Sequence, residues 1–177
     1  MEIVVPDAFK YLYGRPDSPI VTIPDPALRQ RASEVAKIGK PIVQLCDSMV
    51  RIMSRANGVG LAAPQIAVAK RVIVVAPEGM KPVAMINPRI VKAEGEEMGL
   101  EGCLSIPGLY GEVMRAAYVE VEALDRKGRE LVYELEGMHA RVVQHEVDHL
   151  DGVLFIDKVA VETLHWSHPD RERAAVE

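Results

Sequence analysis

Apolar residues along the chain predict two helices separated by a group of β-strands. Over residues 41–56 they recur with the i, i+3, i+4, i+7 spacing of a helix that buries one face. Pro41 suits the first turn of this helix, and Asn57-Gly58 suits its end. Cys46 lies within the apolar stripe, so we interpret it as a small buried residue and not as a metal ligand.

The middle of the chain has the pattern of β-strands. Segments that are β-branched, or that alternate between apolar and charged residues, predict strands at 71–76, 83–87, 89–93, 118–124 and 129–135. Asp125-Arg126-Lys127-Gly128 is typical of a hairpin turn between the last two. A second helix is predicted over 138–150, and its apolar residues on two sides indicate a central position. These elements predict an α+β fold in which antiparallel or mixed sheets pack around that helix.

Composition narrows the class of protein. A length of 177 residues fits one domain, and prolines at positions 6, 16, 19, 24 and 26 predict an extended surface arm at its start. The formal net charge of −5 provides no basic face for nucleic acid or an anionic membrane. Two cysteines do not suggest a disulfide framework, and neither a membrane span nor a secretory signal is evident. We therefore expect a cytoplasmic monomer.

The segment His145-Glu146-Val147-Asp148-His149 carries the strongest chemical signal. On a helix, residues four apart lie about 40° apart around the axis, so the imidazoles of His145 and His149 can reach one ion. Glu146 lies about 100° round the axis, where its carboxylate can reach a water molecule on that ion. This is the geometry of a hydrolytic metal site. A polar pair on a solvated helix face is the competing interpretation.

Two imidazoles need a further ligand to hold a metal ion tightly. Downstream of His149, the candidates Glu162, His165 and His168 are weak, because they follow the helix too closely or lie in a polar segment. Upstream, Cys103 offers a thiolate, although a buried strand cysteine is the alternative. Three protein ligands leave one position for water, as in catalytic zinc sites, whereas structural sites take four. The count therefore favours an enzyme.

A third segment, Gly58-Val59-Gly60-Leu61-Ala62-Ala63-Pro64-Gln65, follows the first helix. Its small residues allow a substrate backbone to lie against the chain. The amide of Gln65 can donate a hydrogen bond to a negative oxygen that develops during reaction. A surface position is the alternative for Gln65.

Taken together, GVGLAAPQ, EGCLS and QHEVDHLDG resemble the three signature segments of the peptide deformylase family, in the family's order. The resemblance runs over residues 23–157. It implies a single catalytic domain over 1–177, to which residues 1–18 add an N-terminal extension. It also implies a metal-dependent hydrolase that removes the N-formyl group from the formylmethionine of nascent polypeptides and releases formate. Residues 167–177 are a short polar tail, unlike the basic C-terminal helix that docks some members on the ribosome, so at most a transient ribosome contact is expected.

The resemblance implies the metal ligands and the proton carrier. The ligands are Cys103, His145 and His149, holding one divalent ion per chain. Fe²⁺ is the expected ion, with Zn²⁺, Ni²⁺ or Co²⁺ as substitutes. Glu146 is implied as general base and then general acid.

The resemblance also implies how an N-formylmethionyl peptide is bound. Gln65 and the backbone N–H of Leu104 would stabilise the oxyanion. Val59 and Gly60 would pair with the substrate backbone as an added strand. For the methionine side chain we expect a pocket built from Val59, Met138, Val142 and the ring of His145. The alternative for Met138 and Val142 is an ordinary place in the core.

Two further hypotheses concern the surroundings of the ligands. Asp148 projects away from the histidines and can pair with Arg115, and Glu101 can accept a hydrogen bond from a ligand histidine. Two other functions stay open at this point. One is a generic HExxH metallopeptidase, and the other is a catalytically silent binding module stabilised by a metal ion.

Overall fold

The structure, a computed structural model, describes residues 1–168. Within them lie two α-helices, α1 (Lys40–Arg55) and α2 (Gly137–Leu150). One antiparallel sheet has the order β1-β2-β3-β6-β7, with strands Gly60–Ala62, Val72–Val75, Val83–Glu94, Tyr118–Leu124 and Glu130–Glu136. A second has the order β4-β5-β8, with strands Glu97–Cys103, Ile106–Arg115 and His165–Trp166. From position 169 on, the predicted polar tail at 167–177 lies outside the described residues.

Both predicted helices and the predicted hairpin are confirmed. On α1, Cys46, Met49 and Met53 are buried against the apolar face of the five-stranded sheet, so Cys46 is a buried free thiol, as expected. In the turn between β6 and β7, the Asp125 carboxylate accepts hydrogen bonds from the N–H groups of Lys127 (2.7 Å) and Arg129 (3.0 Å). The side chain that begins the turn thus stabilises its backbone.

Helix α2 lies at the centre of the fold and connects the two sheets. Ala140, Val143 and Leu150 are buried in the same apolar cluster as residues of the five-stranded sheet. On another side of the helix, Arg141 donates hydrogen bonds to the carbonyl oxygens of Gly99 in β4 (3.3 Å) and Val113 in β5 (2.8 Å). The predicted α+β fold with sheets around this central helix is confirmed.

The two strands predicted at 83–87 and 89–93 are a single strand, β3. Proline does not end it, because the ladder to β6 shifts register around Pro88 instead. Asn87 has a φ of 53°, and its side-chain amide bonds the backbone N–H (2.8 Å) and C=O (3.0 Å) of Val35. This contact with a distant segment, which the local sequence does not reveal, holds the irregular strand together.

Strands β4 and β5 are not predicted by the sequence pattern. Glycines interrupt the alternation of apolar and polar residues that signals a strand, and they do so because neighbouring side chains need the space. A Cβ added at Gly102 would lie 2.6 Å from the ring of Tyr110. One added at Gly99 would lie 2.8 Å from the guanidinium carbon of Arg141.

Residues 1–39 contain two short 3₁₀ helices, Asp7–Leu12 and Pro26–Arg29, and no other helix or named strand. The predicted surface arm is confirmed only in part, because Leu28, Ala32 and Val35 are buried in the core. Among residues 1–168, the structure contains no helix with the length and apolar character needed to cross a membrane.

Candidate metal centre and active site

Cys103, His145 and His149 lie together although they are distant in sequence. Cys103 ends β4, and the two histidines are one turn apart on α2. One ligand atom from each residue lies within 4.8 Å of the other two. Cys103 Sγ is 3.3 Å from His149 Nε2, and the histidine ring centroids are 5.0 Å apart. The downstream candidates are not part of this group.

Glu101 orients one of the two histidines. Its Oε2 is 2.9 Å from His145 Nδ1, which is the hydrogen bond hypothesised from the sequence. The carboxylate also accepts two hydrogen bonds from Arg115, both of 2.9 Å, and one from Arg141 of 3.0 Å. Burial opposes ionisation, but the bonds from Arg115 and His145 outweigh it and lower the pKa of Glu101. Glu101 is therefore a carboxylate that fixes the His145 ring.

Arg115 extends this arrangement to Asp148. Its guanidinium is 3% exposed and also bonds Asp148, whose other oxygen is 2.7 Å from Lys158 Nζ. The ion pair between Arg115 and Asp148 expected from the sequence is therefore present, and Asp148 is not among the grouped ligands. Because Arg115 and Glu101 are buried and paired with each other, removal of one leaves the other without this partner.

Replacing Arg115 with alanine is expected to weaken metal binding about 10-fold or more, because Glu101 loses the partner that holds it against His145. A chelator-competition titration measures this affinity. Arg89→Ala is the control, since it removes an exposed ion pair, with Glu122, far from the site in sequence. Unchanged affinity in a folded Arg115 variant would show that the network does not support the ligand.

Glu146 occupies a dry position beside these groups. Its side chain is 5% exposed, and Oε2 has no hydrogen-bond partner within residues 1–168. Burial raises the pKa of Glu146 to about 7. Gly60 makes room for it, because a Cβ added there would lie 2.3 Å from Glu146 Oε1. Such a carboxyl group can both accept and donate a proton near neutral pH.

Gln65 is buried, so the surface alternative is wrong. It lies in a short 3₁₀ helix, Ala63–Ile66, and is 1% exposed. Its Oε1 accepts a hydrogen bond from Ala62 N–H (2.8 Å), which fixes the amide orientation. Nε2 then points to Ser105 Oγ at 3.2 Å and to Cys103 Sγ at 3.6 Å. The donor end of Gln65 is thus aimed at the ligand group.

A groove of about 690 Å³ opens beside these residues. All four residues proposed to bind substrate line it: Val59, Gly60, Met138 and Val142. Met138 is 52% exposed, so its core alternative is wrong, whereas Val142 is both a lining and a core residue. Leu104 also lines the groove, in the turn after β4. The strands β1 and β4, which border the groove, are each the outer strand of their sheet in the described part of the chain.

Arg141 is a part of the site that the sequence analysis missed. It is 4% exposed, and besides Glu101 it bonds backbone oxygens of both β4 and β5. The available signal was its place one helical turn before His145, among residues predicted to be buried. A buried arginine on that face requires acceptors. Which acceptors they are depends on β4 and β5, which were not predicted.

The donor set fits one divalent transition-metal ion. A thiolate and two imidazoles suit Zn²⁺, Fe²⁺, Co²⁺ or Ni²⁺. Because Glu101 occupies His145 Nδ1, the other ring nitrogen is left for an ion. Burial lowers the pKa of His149 well below its usual value, which favours the neutral imidazole that metals require. The unpartnered Glu146 Oε2 next to the groove fits a polar ligand there, since buried polar atoms normally have partners.

Known proteins share both the sequence and the fold. The family model described as polypeptide deformylase matches residues 17–164. A peptide deformylase of Pelotomaculum thermopropionicum is 54% identical over 140 residues, which is 78% of this chain and 89% of the relative. One of Thermomicrobium roseum is 46% identical over 166 residues, 89% of this chain and 94% of the relative. The crystal structure of the peptide deformylase from Thermus thermophilus has a TM-score of 0.78 at 45% identity, covering 82% of this chain and 87% of that one.

These similarities span most of this chain and most of each relative, and they hold for the fold as well as for the sequence. The chain therefore belongs to the polypeptide deformylase family, whose enzymes remove N-formyl groups from nascent polypeptides.

Proposed function

We propose that this enzyme hydrolyses the formyl amide of N-formylmethionyl peptides, with Glu146 as the group that carries the proton. The observation that supports this most is the buried Glu146 Oε2, which has no hydrogen-bond partner within residues 1–168. Glu146 directly follows His145, one of the grouped ligands, in sequence and lines the same groove as Cys103 and His145. In the metal-free protein, burial raises the pKa of this carboxyl group to about 7, near the pH at which a proton shuttle works.

Cys103, His145 and His149 would hold one divalent ion, which we propose to be Fe²⁺, with Zn²⁺, Ni²⁺ or Co²⁺ able to replace it. When bound, such an ion polarises a carbonyl oxygen and acidifies water. The family is one of metalloenzymes, and the grouped thiolate and imidazoles support a site for it in this chain.

Residues of the chain would carry out proton transfer and stabilise the negative oxygen. Glu146, as a carboxylate, takes a proton from the attacking water and passes it to the departing methionine amine. The formyl oxygen becomes negative when its carbon is attacked. We propose that Gln65 Nε2–H and Leu104 N–H donate hydrogen bonds to it. The fixed orientation of the Gln65 amide supports this role, because a donor already in place need not reorganise during reaction.

Substrate binding would use the outer edge of β1. We propose that Val59 and Gly60 pair with the peptide backbone and that the methionine side chain lies against Val59, Met138 and Val142. The exposure of Val59 (48%) and Met138 (52%) supports this, since apolar side chains beside a groove are available to an apolar ligand.

The remaining proposals concern domain organisation, oligomeric state and location in the cell. We propose a single catalytic domain over 1–177, with 1–18 as an extension and 167–177 as a tail. We further propose a monomer that meets nascent chains in the cytoplasm through no more than a transient ribosome contact.

One assay tests the proposed function. The metal-loaded protein should release formate from a formyl-Met peptide, and the same peptide without the formyl group should remain intact. A chelator should abolish the activity and Fe²⁺ or Ni²⁺ should restore it. Cleavage of internal peptide bonds in the unformylated peptide would instead identify a generic metallopeptidase. Metal binding without either reaction would identify a silent binding module.

A further inference from the structure

The N-terminal segment 7–13 lies against the start of β5, next to the groove. The Tyr13 hydroxyl donates a hydrogen bond to the Pro107 carbonyl oxygen at 3.1 Å. The Phe9 ring fills the space beside Gly108, because a Cβ added at Gly108 would lie 2.6 Å from it. The same ring packs on Trp166 of β8, with ring centroids 5.1 Å apart. The segment is thus attached to the second sheet at several points.

The residues that this segment contacts belong to the rim of the site. Pro107 and Gly108 both line the groove. They follow directly on the turn that joins β4 to β5, in which Cys103 pairs with Ile106. This turn contains Leu104, whose N–H is proposed to bind the formyl oxygen. A contact at Pro107 therefore acts on the backbone only three residues from that donor.

Ser105, which lies between Leu104 and Pro107, is held separately. Ser105 C=O accepts a hydrogen bond from Ile23 N–H at 3.1 Å, and Ser105 Oγ accepts one from Gln65 at 3.2 Å. Beyond Ser105, the bond from Tyr13 secures the chain at the point where it enters β5. Burial, and then the charge of Cys103, raise the pKa of Tyr13, so its hydroxyl stays a proton donor at neutral pH.

We propose that segment 7–13 is a clamp, and that Tyr13 is a positioning residue which holds the turn after β4 and the start of β5, residues 104–108, so that Leu104 N–H meets the reacting oxygen. This inference rests on the proposed function, because it takes the role of Leu104 from it. The clamp precedes the part of the chain that the family model matches, which begins at residue 17. It thus supports the site from outside the matched region.

Tyr13→Phe tests the clamp, since it removes the hydroxyl and keeps the ring. We expect kcat for a formyl-Met peptide to fall roughly 5-fold while KM changes less than about 2-fold, because a misplaced donor is felt mainly in the transition state. Hydrogen exchange of the amides of residues 104–106 and 108, measured on the metal-loaded protein, should become about 10-fold faster. Tyr11→Phe is the matched control. Tyr11 lies two residues before Tyr13, but its hydroxyl bonds His168, so its replacement should leave both kcat and the exchange rates unchanged.

The exchange measurement separates this inference from the proposed function. Faster exchange at 104–108 together with a lower kcat in Tyr13→Phe, and in Phe9→Leu, supports the clamp. Exchange at 104–108 equal to that of the wild type overturns it, whatever the rate. If the wild-type protein released no formate, the proposed function would fail, and the effect of Tyr13 on catalysis would fail as well. The exchange measurement would still decide whether segment 7–13 holds the turn.

Discussion

Glu146→Ala is expected to keep the metal ion and to lower deformylation by about 10³-fold or more, since proton transfer by a positioned side chain contributes about 10² to 10⁴ and no other group can replace it. The structure supports the first part, because Glu146 forms no hydrogen bond to a ligand residue through Oε2 and is not among the three grouped ligands. Formate release and the metal content of the purified variant measure the two quantities.

Two further substitutions define what Glu146 does. Glu146→Gln preserves size and hydrogen bonding but cannot take a proton, so its activity should be as low as that of Glu146→Ala. Glu146→Asp keeps the carboxyl group on a side chain that is shorter by one methylene. This variant should retain more activity than Glu146→Ala or Glu146→Gln. Loss of the metal ion from all three variants would indicate that Glu146 has a structural role instead.

The stability of the metal-free Glu146→Gln variant gives an independent check. Burial raises the pKa of Glu146 to about 7, above its usual 4.5. The folded state therefore favours the protonated form, and the wild type loses stability as pH rises from the unfolded-state pKa through the folded-state one. Glutamine does not titrate. The metal-free variant should thus melt at a higher temperature than metal-free wild type at pH 7, by a margin that shrinks at pH 5.

The ligand group could be predicted from sequence because each part is encoded locally. Helical spacing alone brings His145, His149 and Glu146 to the positions that the chemistry needs. Cys103, in a segment that resembles a family signature, supplies the third ligand. One partner each of Glu101 and Asp148 could be named as a hypothesis, since residues around a metal ligand commonly hold it through hydrogen bonds. Arg141 could not be assigned a partner, because its acceptors belong to strands distant in sequence.

The fold shows the same division between local and distant causes. The helices and the β6–β7 hairpin follow from periodicity and from the turn at Asp125. Strands β4 and β5 do not, because Gly99 and Gly102 are selected by the side chains of Arg141 and Tyr110 that occupy their space. Likewise, the irregular passage of β3 at Asn87 depends on Val35. The spacing of apolar residues along the chain reveals helices and strands that bury one face. Strands without such spacing are determined by tertiary contacts, which the local sequence does not show.

The second large effect is expected at Gln65. Gln65→Ala should lower kcat/KM by about 10²-fold, because loss of one donor to a negative oxygen costs about 3 kcal/mol of transition-state stabilisation. The decrease should lie mainly in kcat, since the interaction strengthens as charge develops on the oxygen. Steady-state kinetics with a formyl-Met peptide, on protein with full metal content, separate kcat from KM.

The contacts of Gln65 provide the control for this experiment. Its amide also bonds Ala62 N–H and Ser105 Oγ, so Gln65→Ala removes structural bonds as well as the donor. Ser105→Ala removes only the second of these and leaves the Gln65 amide anchored through Oε1. It should therefore reduce kcat/KM by no more than about 3-fold, the effect of one neutral hydrogen bond. Equal losses in the two variants would mean that Gln65 supports the turn at Ser105 and does not act on the oxyanion.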